Sequence, residues 1–367
     1  MSTSDQPAIM LPQDHYLHPG AATEWWWHVG TLKVRDPVIG NERTLGFEIN
    51  ALGATEDGHN GDAANISQIM VTDVKNQRHY QATTILFPGN AAWAESDSSK
   101  PWFVKVGSDG DNGAVHMTAA SNDVTAMTIR ASFVDSVTST TVSFNLQVHQ
   151  EGVPLLVFGS GIKDDVNPNG TTPLTRNNYY YSLTNLQTSG TVTIGEETLA
   201  VDGRTWMDHE YGAFSFKYRW TLQDAILDNG YQLSSFSPPN AVITEDEPYD
   251  SLVTILAPDG TSQYMGSVTT PRGPLVISTE GVTYFTGFEV QIKEMADVWL
   301  SFTTSMPDQE FRGHPPVYEG VAVVTGNWGA SDVQGTAWIE QSLSKTAKMG
   351  TVGGRAAAFG LVPTAEK

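Results

Sequence analysis

The chain has 367 residues and carries 41 Asp and Glu against 20 Lys and Arg, a formal net charge of −21, with no cysteine. The missing cysteine excludes disulfide scaffolds, thiolate zinc centres and cysteine nucleophiles, and the acidic balance argues against nucleic acid and anionic membrane surfaces as partners, because like charges repel. With 40% hydrophobic and 17% charged residues the chain is composed to bury a core, and at roughly 100–200 residues per domain it has room for two or three domains.

The first stretch, Met1–Pro12, lacks a basic segment followed by an apolar one, and no window approaches the roughly 18 apolar residues of a spanning helix. The expectation is a soluble protein without membrane insertion, cytoplasmic as given, or secreted or periplasmic where a signal peptide has been removed. Glu24-Trp25-Trp26-Trp27-His28-Val29-Gly30-Thr31-Leu32 follows. As a strand it sets Glu24, Trp26 and His28 on one face and Trp25 and Trp27 on the other. The structural reading of Trp25 or Trp27 is an indole that closes one end of a barrel.

Thr44–Asn50 alternates apolar and polar residues, as do Thr141–Val148 and Gly320–Thr325, the pattern of strands with one buried face. Ala63–Met70 suits a short helix or a strand. Asp164–Asn178, with Pro168, Gly170 and Pro173, reads as a surface loop over a pocket, and Glu245–Tyr249 as an acidic counterpart. Between them, Tyr179-Tyr180-Tyr181-Ser182 sends Tyr179 and Tyr181 one way and Tyr180 the other, so that two phenols could orient a ligand or simply pack an interface. The run ends in Thr-Ser-Gly, and a hairpin-like Thr191–Leu199 follows. A domain seam is expected there, dividing 1–190 from 191–350, with 351–367 as a flexible Gly- and Ala-rich tail. A stretch after Ser342 containing Lys345 and Lys348 is the other helical candidate. Closely spaced Gly and Pro turns predict an all-β protein of about 18–24 strands in two barrels or sandwiches.

Gly203-Arg204-Thr205-Trp206-Met207-Asp208-His209-Glu210-Tyr211-Gly212 is the most informative string. Alternation points Trp206, Asp208 and Glu210 together and Met207, His209 and Tyr211 oppositely. A carboxylate enclosed by aromatic surface has its charged form disfavoured, so its pKa rises towards neutrality and it can serve as a general acid. Its structural alternative is a turn with solvated charges. His28, His209, Asp208 and Glu210 match no established metal-ligand spacing, so no metal is expected. His15, His18, His59, His79 and His314 lie in loop-like contexts and read as solvated. Neither a Gly-x-Ser-x-Gly elbow nor a phosphate- or dinucleotide-binding glycine motif occurs, which leaves chemistry without a cofactor.

Together, Glu24–Leu32, Tyr179–Thr184 and Gly203–Gly212 resemble the hydroxyneurosporene synthase/AttH-like family of lipocalin-like proteins. Tyr318-Glu319-Gly320 and the stretch Gly335–Glu340 resemble its closing strands. The strand departs from the family pattern at Trp27-His28, where relatives carry Tyr and a small or polar residue. The resemblance implies two tandem lipocalin-like β-barrel domains around a hydrophobic pocket, in a family that includes carotenoid 1,2-hydratases and has cyclase relatives in natural-product pathways.

On these readings the expected function is cofactor-independent chemistry on a small hydrophobic isoprenoid or polyketide-like substrate, by acid-assisted hydration, elimination or cyclisation. Asp208 is the expected general acid, with Glu210 or Glu24 as the second carboxylate and His209 relaying or orienting the proton. Trp26, Trp206 and Tyr181 would stabilise developing positive charge, and His28, Tyr179 and Tyr211 complete the expected substrate contacts. A pericyclase and a carrier of a lipophilic ligand are the alternatives.

Overall fold

A computed structural model describes residues 9–35, 43–55, 63–90, 92–214, 219–239, 241–279, 281–312 and 316–343. The expected tail, the helical candidate after Ser342, His59 and His314 lie outside the described residues. The chain divides into two units, Met1–Phe214 and Ser215–Lys367. In the first unit the strands are β1 (Thr23–Val34), β2 (Thr44–Thr55), β3 (Ala63–Asp73), β4 (Arg78–Leu86), β5 (Phe103–Val106), β6 (Ala114–Ala120), β7 (Asp123–Val134), β8 (Thr141–Gln150), the short β9 (Leu155–Leu156) and β10 (Ile162–Lys163), β11 (Asn178–Ile194) and β12 (Glu197–Gly212). The second unit has β13 (Trp220–Leu227), β14 (Gln232–Phe236), β15 (Tyr249–Leu256), β16 (Ser262–Ile277), β17 (Thr283–Ile292), β18 (Val298–Thr304), β19 (Glu310–Phe311), β20 (Val317–Trp328) and β21 (Ser331–Ser342). The protein is all-β, as its alternation and turn spacing predict, with 63% of the described residues in strands and two barrel-like sheets. Among the described residues no helix is long and apolar enough to cross a membrane.

The first sheet runs β4-β3-β2-β1-β12-β11-β8-β7-β6-β5, with β9 and β10 paired to β11. Every pairing is antiparallel. Its interior is apolar: Leu32, Leu45, Phe47, Ile49, Ile69, Val71, Met117, Ile129, Leu146 and Leu186 are all buried in one cluster. The second sheet runs β18-β17-β16-β15-β14-β13-β21-β20-β19, and a further β18 to β20 pairing closes it into a barrel. Its core is a separate cluster around Leu233, Val253, Tyr284, Phe288, Leu300 and Phe302.

One open alternative is settled and one expectation is corrected. Ala63–Met70 is not helical; it is the body of β3, paired with β2 on one side and β4 on the other and buried on both faces. Burial of both faces removes the period-two signal that marks a half-buried strand. The seam at 190/191 falls inside β11, and the units part between Phe214 and Ser215. Gly190 is a strand residue at φ 152, and a Cβ there would lie 2.2 Å from the Asn145 carbonyl oxygen of β8. This glycine permits close strand approach rather than marking a boundary. The hairpin expected over Thr191–Leu199 does form, with Thr193 opposite Thr198, and it carries β12 back along β11 within the same sheet.

Candidate active site

The register of three strands assembles the site. In β1 and β12, Glu24 faces Tyr211, Trp26 faces His209 and His28 faces Met207. In β11 and β12, Tyr179 faces Tyr211 and Tyr181 faces His209. Directly opposed residues of an antiparallel pair share a face, so Glu24, Trp26, His28, Tyr179, Tyr181, His209 and Tyr211 project to one side. Trp206, Asp208 and Glu210 project to the other, with Asp208 opposite Trp27 and Ser182, and Glu210 opposite Trp25 and Tyr180. The expected site residues thus form two groups separated by the thickness of the sheet. A direct proton relay from Asp208 to His209 is excluded by that alternation.

The first group lies at the interior face. Trp26 and His209 are fully buried with their rings 4.5 Å apart, so the indole that fills the barrel is Trp26; Trp25 and Trp27 pack on the opposite face with Leu52, Ala54, Ala64, Ile66 and Phe214. The segment before β1 completes this group with residues that carry no strand periodicity. A 3-10 turn at Gln13–His15 drops His15 inside, where its Nδ1 lies 2.5 Å from the Tyr181 hydroxyl and its carbonyl accepts the Trp26 indole N–H at 3.1 Å. His18 stacks on Tyr211 at 3.6 Å, and Tyr211 in turn stacks on Tyr179 at 4.9 Å. His15 and His18 are therefore built into the structure rather than solvated, and His79 is half-buried with Nδ1 2.8 Å from the Thr72 hydroxyl.

Glu24 organises the charges. Its Oε2 accepts the His18 backbone N–H at 2.8 Å, while Oε1 lies 2.8 Å from His18 Nδ1 and 3.4 Å from His209 Nε2. His18 Nε2 lies 3.4 Å from Asp14 Oδ1, and His209 Nδ1 donates to the Trp25 carbonyl at 2.9 Å. Burial alone would lower the His18 imidazole, but Asp14 and Glu24 outweigh it and lift the pKa to about 9. Burial would raise the Glu24 carboxyl, and the contacts with His18 and His209 more than offset it, leaving it below the ordinary value. Desolvation lowers His209, with Glu24 opposing, and it drives His28 down to about 3 with help from His209. His15 is lowered by burial and then by His209, so His15 and His28 are neutral around neutral pH. Burial also holds the Tyr181 and Tyr211 phenols protonated.

The second group is acidic and aromatic. Asp208 Oδ1 accepts two hydrogen bonds, from the Ser182 hydroxyl at 2.5 Å and from the Trp206 indole N–H at 2.8 Å. Burial raises the Asp208 pKa to about 6, against the opposing pull of Ser182, Trp206 and Tyr180. Glu210 Oε1 accepts from Asn178 Nδ2 at 2.6 Å. Asp208 and Glu210 retain 9% and 7% exposure, whereas Trp26, His28, Tyr181 and His209 have none. Ser182, Tyr180, Trp25 and Trp27 were not among the expected site residues. Ser182 and Tyr180 share a parity along β11, and Trp25 and Trp27 share one along β1; only the register reveals that all four meet the acids.

A family model described as AttH-like matches residues 2–345. Among solved structures, a protein described as AttH from Nitrosomonas europaea is 18% identical at a TM-score of 0.67, covering 93% of this chain and 98% of that one. Kievitone hydratase from Nectria haematococca is 16% identical at a TM-score of 0.64, covering 88% of this chain and 89% of that one. Both likenesses are of fold. No curated protein sequence matches the chain.

Proposed function

Because the chain belongs to the AttH-like family, we propose that it is a hydratase-type enzyme that adds water across a carbon–carbon double bond of a hydrophobic isoprenoid or polyketide-like substrate, or eliminates water from the corresponding alcohol to form that bond. The observation that carries this reading is the setting of Asp208: a buried carboxyl with one oxygen occupied by the Ser182 and Trp206 donors, opposite an indole, on the face where the acids keep some exposure. Two donors on Oδ1 direct the carboxyl's own proton to Oδ2. That proton passes to one alkene carbon, and positive charge develops on its neighbour, where the faces of Trp27 and Trp206 stabilise it. Water adds at the cationic carbon and gives up a proton to the Asp208 carboxylate, which restores the acid. Glu210, two residues along the same face, orients that water.

The fold shared with kievitone hydratase supports the reaction class by analogy. The resemblance to hydroxyneurosporene synthase favours a polyene isoprenoid as substrate. The test is incubation of the purified chain with linear polyenes and prenylated aromatics in deuterated water, reading deuterium at carbon and a gain of one water. Turnover that disappears in Asp208→Asn supports the proposal. Undiminished turnover in that variant removes Asp208 from the chemistry, and a cyclised product without added water favours the pericyclase reading.

A further inference from the structure

The first unit contains a convergence of ligand-type atoms that the hydratase reading does not use. His18 Nδ1, Glu24 Oε1 and His209 Nε2 lie within 4.8 Å of one another, on the opposite face of β12 from Asp208. Each of these side chains has its remaining polar atom tied elsewhere. Glu24 Oε2 takes the His18 backbone N–H, His209 Nδ1 meets the Trp25 carbonyl, and His18 Nε2 faces Asp14 Oδ1. An imidazole whose far nitrogen is anchored on a carbonyl or a carboxylate is the arrangement that fixes histidine ligands to metals. The rings are also locked in plane, His18 by its stack on Tyr211 and His209 by Trp26.

The tautomer of His209 sharpens the point. A carbonyl oxygen only accepts, so Nδ1 carries the ring hydrogen and a neutral His209 presents a lone pair at Nε2. That nitrogen is fully buried and lies 3.4 Å from a carboxylate oxygen of Glu24, its one close polar neighbour on that side among the described residues, without the geometry of a good hydrogen bond. Two lone pairs facing each other require a cation between them, either a second proton on the ring or a metal ion. The second imidazole, His18, has its Nδ1 2.8 Å from the same oxygen, and two imidazole nitrogens with one carboxylate oxygen make a set suited to a borderline divalent ion.

We infer that His18, Glu24 and His209 form a binding site for a single divalent cation of the zinc class at the interior face of the first sheet. The ion takes the place of the proton shared by His18 Nδ1 and Glu24, which is released on binding. His18 retains 16% side-chain exposure while the other two ligands are enclosed, so the ion enters past His18. Three protein ligands leave a position open to solvent or another ligand.

The test uses the full chain, freed of metal with a chelator, titrated calorimetrically with Zn²⁺ and followed with Co²⁺ by its visible absorption. The expected result is one equivalent bound, with the Co²⁺ bands of a low-coordinate nitrogen and oxygen site. His18→Gln, on the segment outside the strands, and Glu24→Gln abolish that equivalent, whereas His149→Gln at an exposed position leaves it intact. Asp14→Asn weakens it by about 10-fold, as loss of an outer-shell partner does. Far-ultraviolet circular dichroism identifies any variant that fails to fold, and His18→Gln then carries the comparison. Absence of a stoichiometric equivalent overturns the inference and assigns the cation to a proton on His209, and one equivalent that persists in both His18→Gln and Glu24→Gln also overturns it.

Discussion

Asp208 and His209 are adjacent on β12 and face opposite sides of the sheet: Asp208 Oδ1 takes the Ser182 hydroxyl and the Trp206 indole N–H, while His209 Nδ1 meets the Trp25 carbonyl beside Trp26. The alternation of one strand separates the buried acid on one face from the imidazole cluster on the other. The two can therefore be tested independently, since a substitution on one face leaves the packing of the other in place.

Asp208→Asn is the sharpest test of the acid. The amide keeps an oxygen for Ser182 and Trp206 but has no proton to give to carbon. Loss of a general acid costs about 100-fold to 10,000-fold in rate. The expected outcome is a fall of that size in kcat on whichever alkene is turned over, with an unchanged thermal midpoint and ligand binding retained, read by quenching of tryptophan fluorescence.

The alternation that separates the two groups was legible in the sequence, since Glu24, Trp26 and His28 share a parity, as do Trp206, Asp208 and Glu210. Which parity faces the interior was not legible, because register depends on cross-strand partners distant in the chain. The placement of Trp26 rather than Trp25 or Trp27 in the barrel follows from that register. His15 and His18 were unreadable for a different reason. His15 enters on a 3-10 turn and His18 on the irregular chain after it, neither with a period, and only their contacts with Tyr181 and Glu24 draw them in. Gly190 misled because a glycine that admits a neighbouring strand looks, in sequence, like one that ends a domain.

A pH-dependent contribution to stability is expected from Asp135, which none of the site residues contacts by a hydrogen bond. Its Oδ1 accepts the Gln81 N–H at 3.0 Å, and its Oδ2 accepts the Thr138 N–H at 2.7 Å and the Thr138 hydroxyl at 2.8 Å. Burial opposes ionisation, and these hydrogen bonds together outweigh it, so the folded pKa lies below the ordinary value. A lowered folded pKa means stability present above the unfolded value of about 3.9 and lost as pH falls through the folded one. Asp135→Asn should cost about 1–3 kcal/mol at neutral pH by leaving donors unmet. Urea unfolding of the two proteins at neutral and acidic pH should show the gap narrowing below about pH 4, and a gap that widens on acidification refutes the assignment.

In the second unit, Gln341 acts as a missing strand partner. From β21 its Oε1 accepts the Phe285 N–H at 2.9 Å and its Nε2 donates to the Phe285 carbonyl at 2.8 Å, on β17, a strand with which β21 does not pair. Gln341 has no exposure. On the side away from β16, β17 pairs with β18 only over residues 287–291, so Phe285 lies beyond the last β18 partner. Gln341→Met preserves length and volume but strands two buried backbone groups. The expected loss is about 1–3 kcal/mol for each group left unmet, seen as a lowered unfolding midpoint.

Trp26 sets the last expectation, which concerns what the interior indole is for. It is fully buried, donates to the His15 carbonyl, and meets Trp93, Trp102 and His209 with centroids 5.6, 5.9 and 4.5 Å away. One ring thus joins β1 to the segment that carries His15 and His18. Trp26→Ala opens a cavity and should cost about 3–5 kcal/mol. Trp26→Phe keeps most of the volume and loses the hydrogen bond, so it should cost less and act chiefly on the leading segment. Hydrogen exchange separates the two effects. With Phe at this position, the amides around His15 and His18 should exchange faster while those of β11 and β12 stay protected. Uniform loss of protection across the sheet would show instead that the indole's packing, and not its hold on the leading segment, is what the first unit depends on.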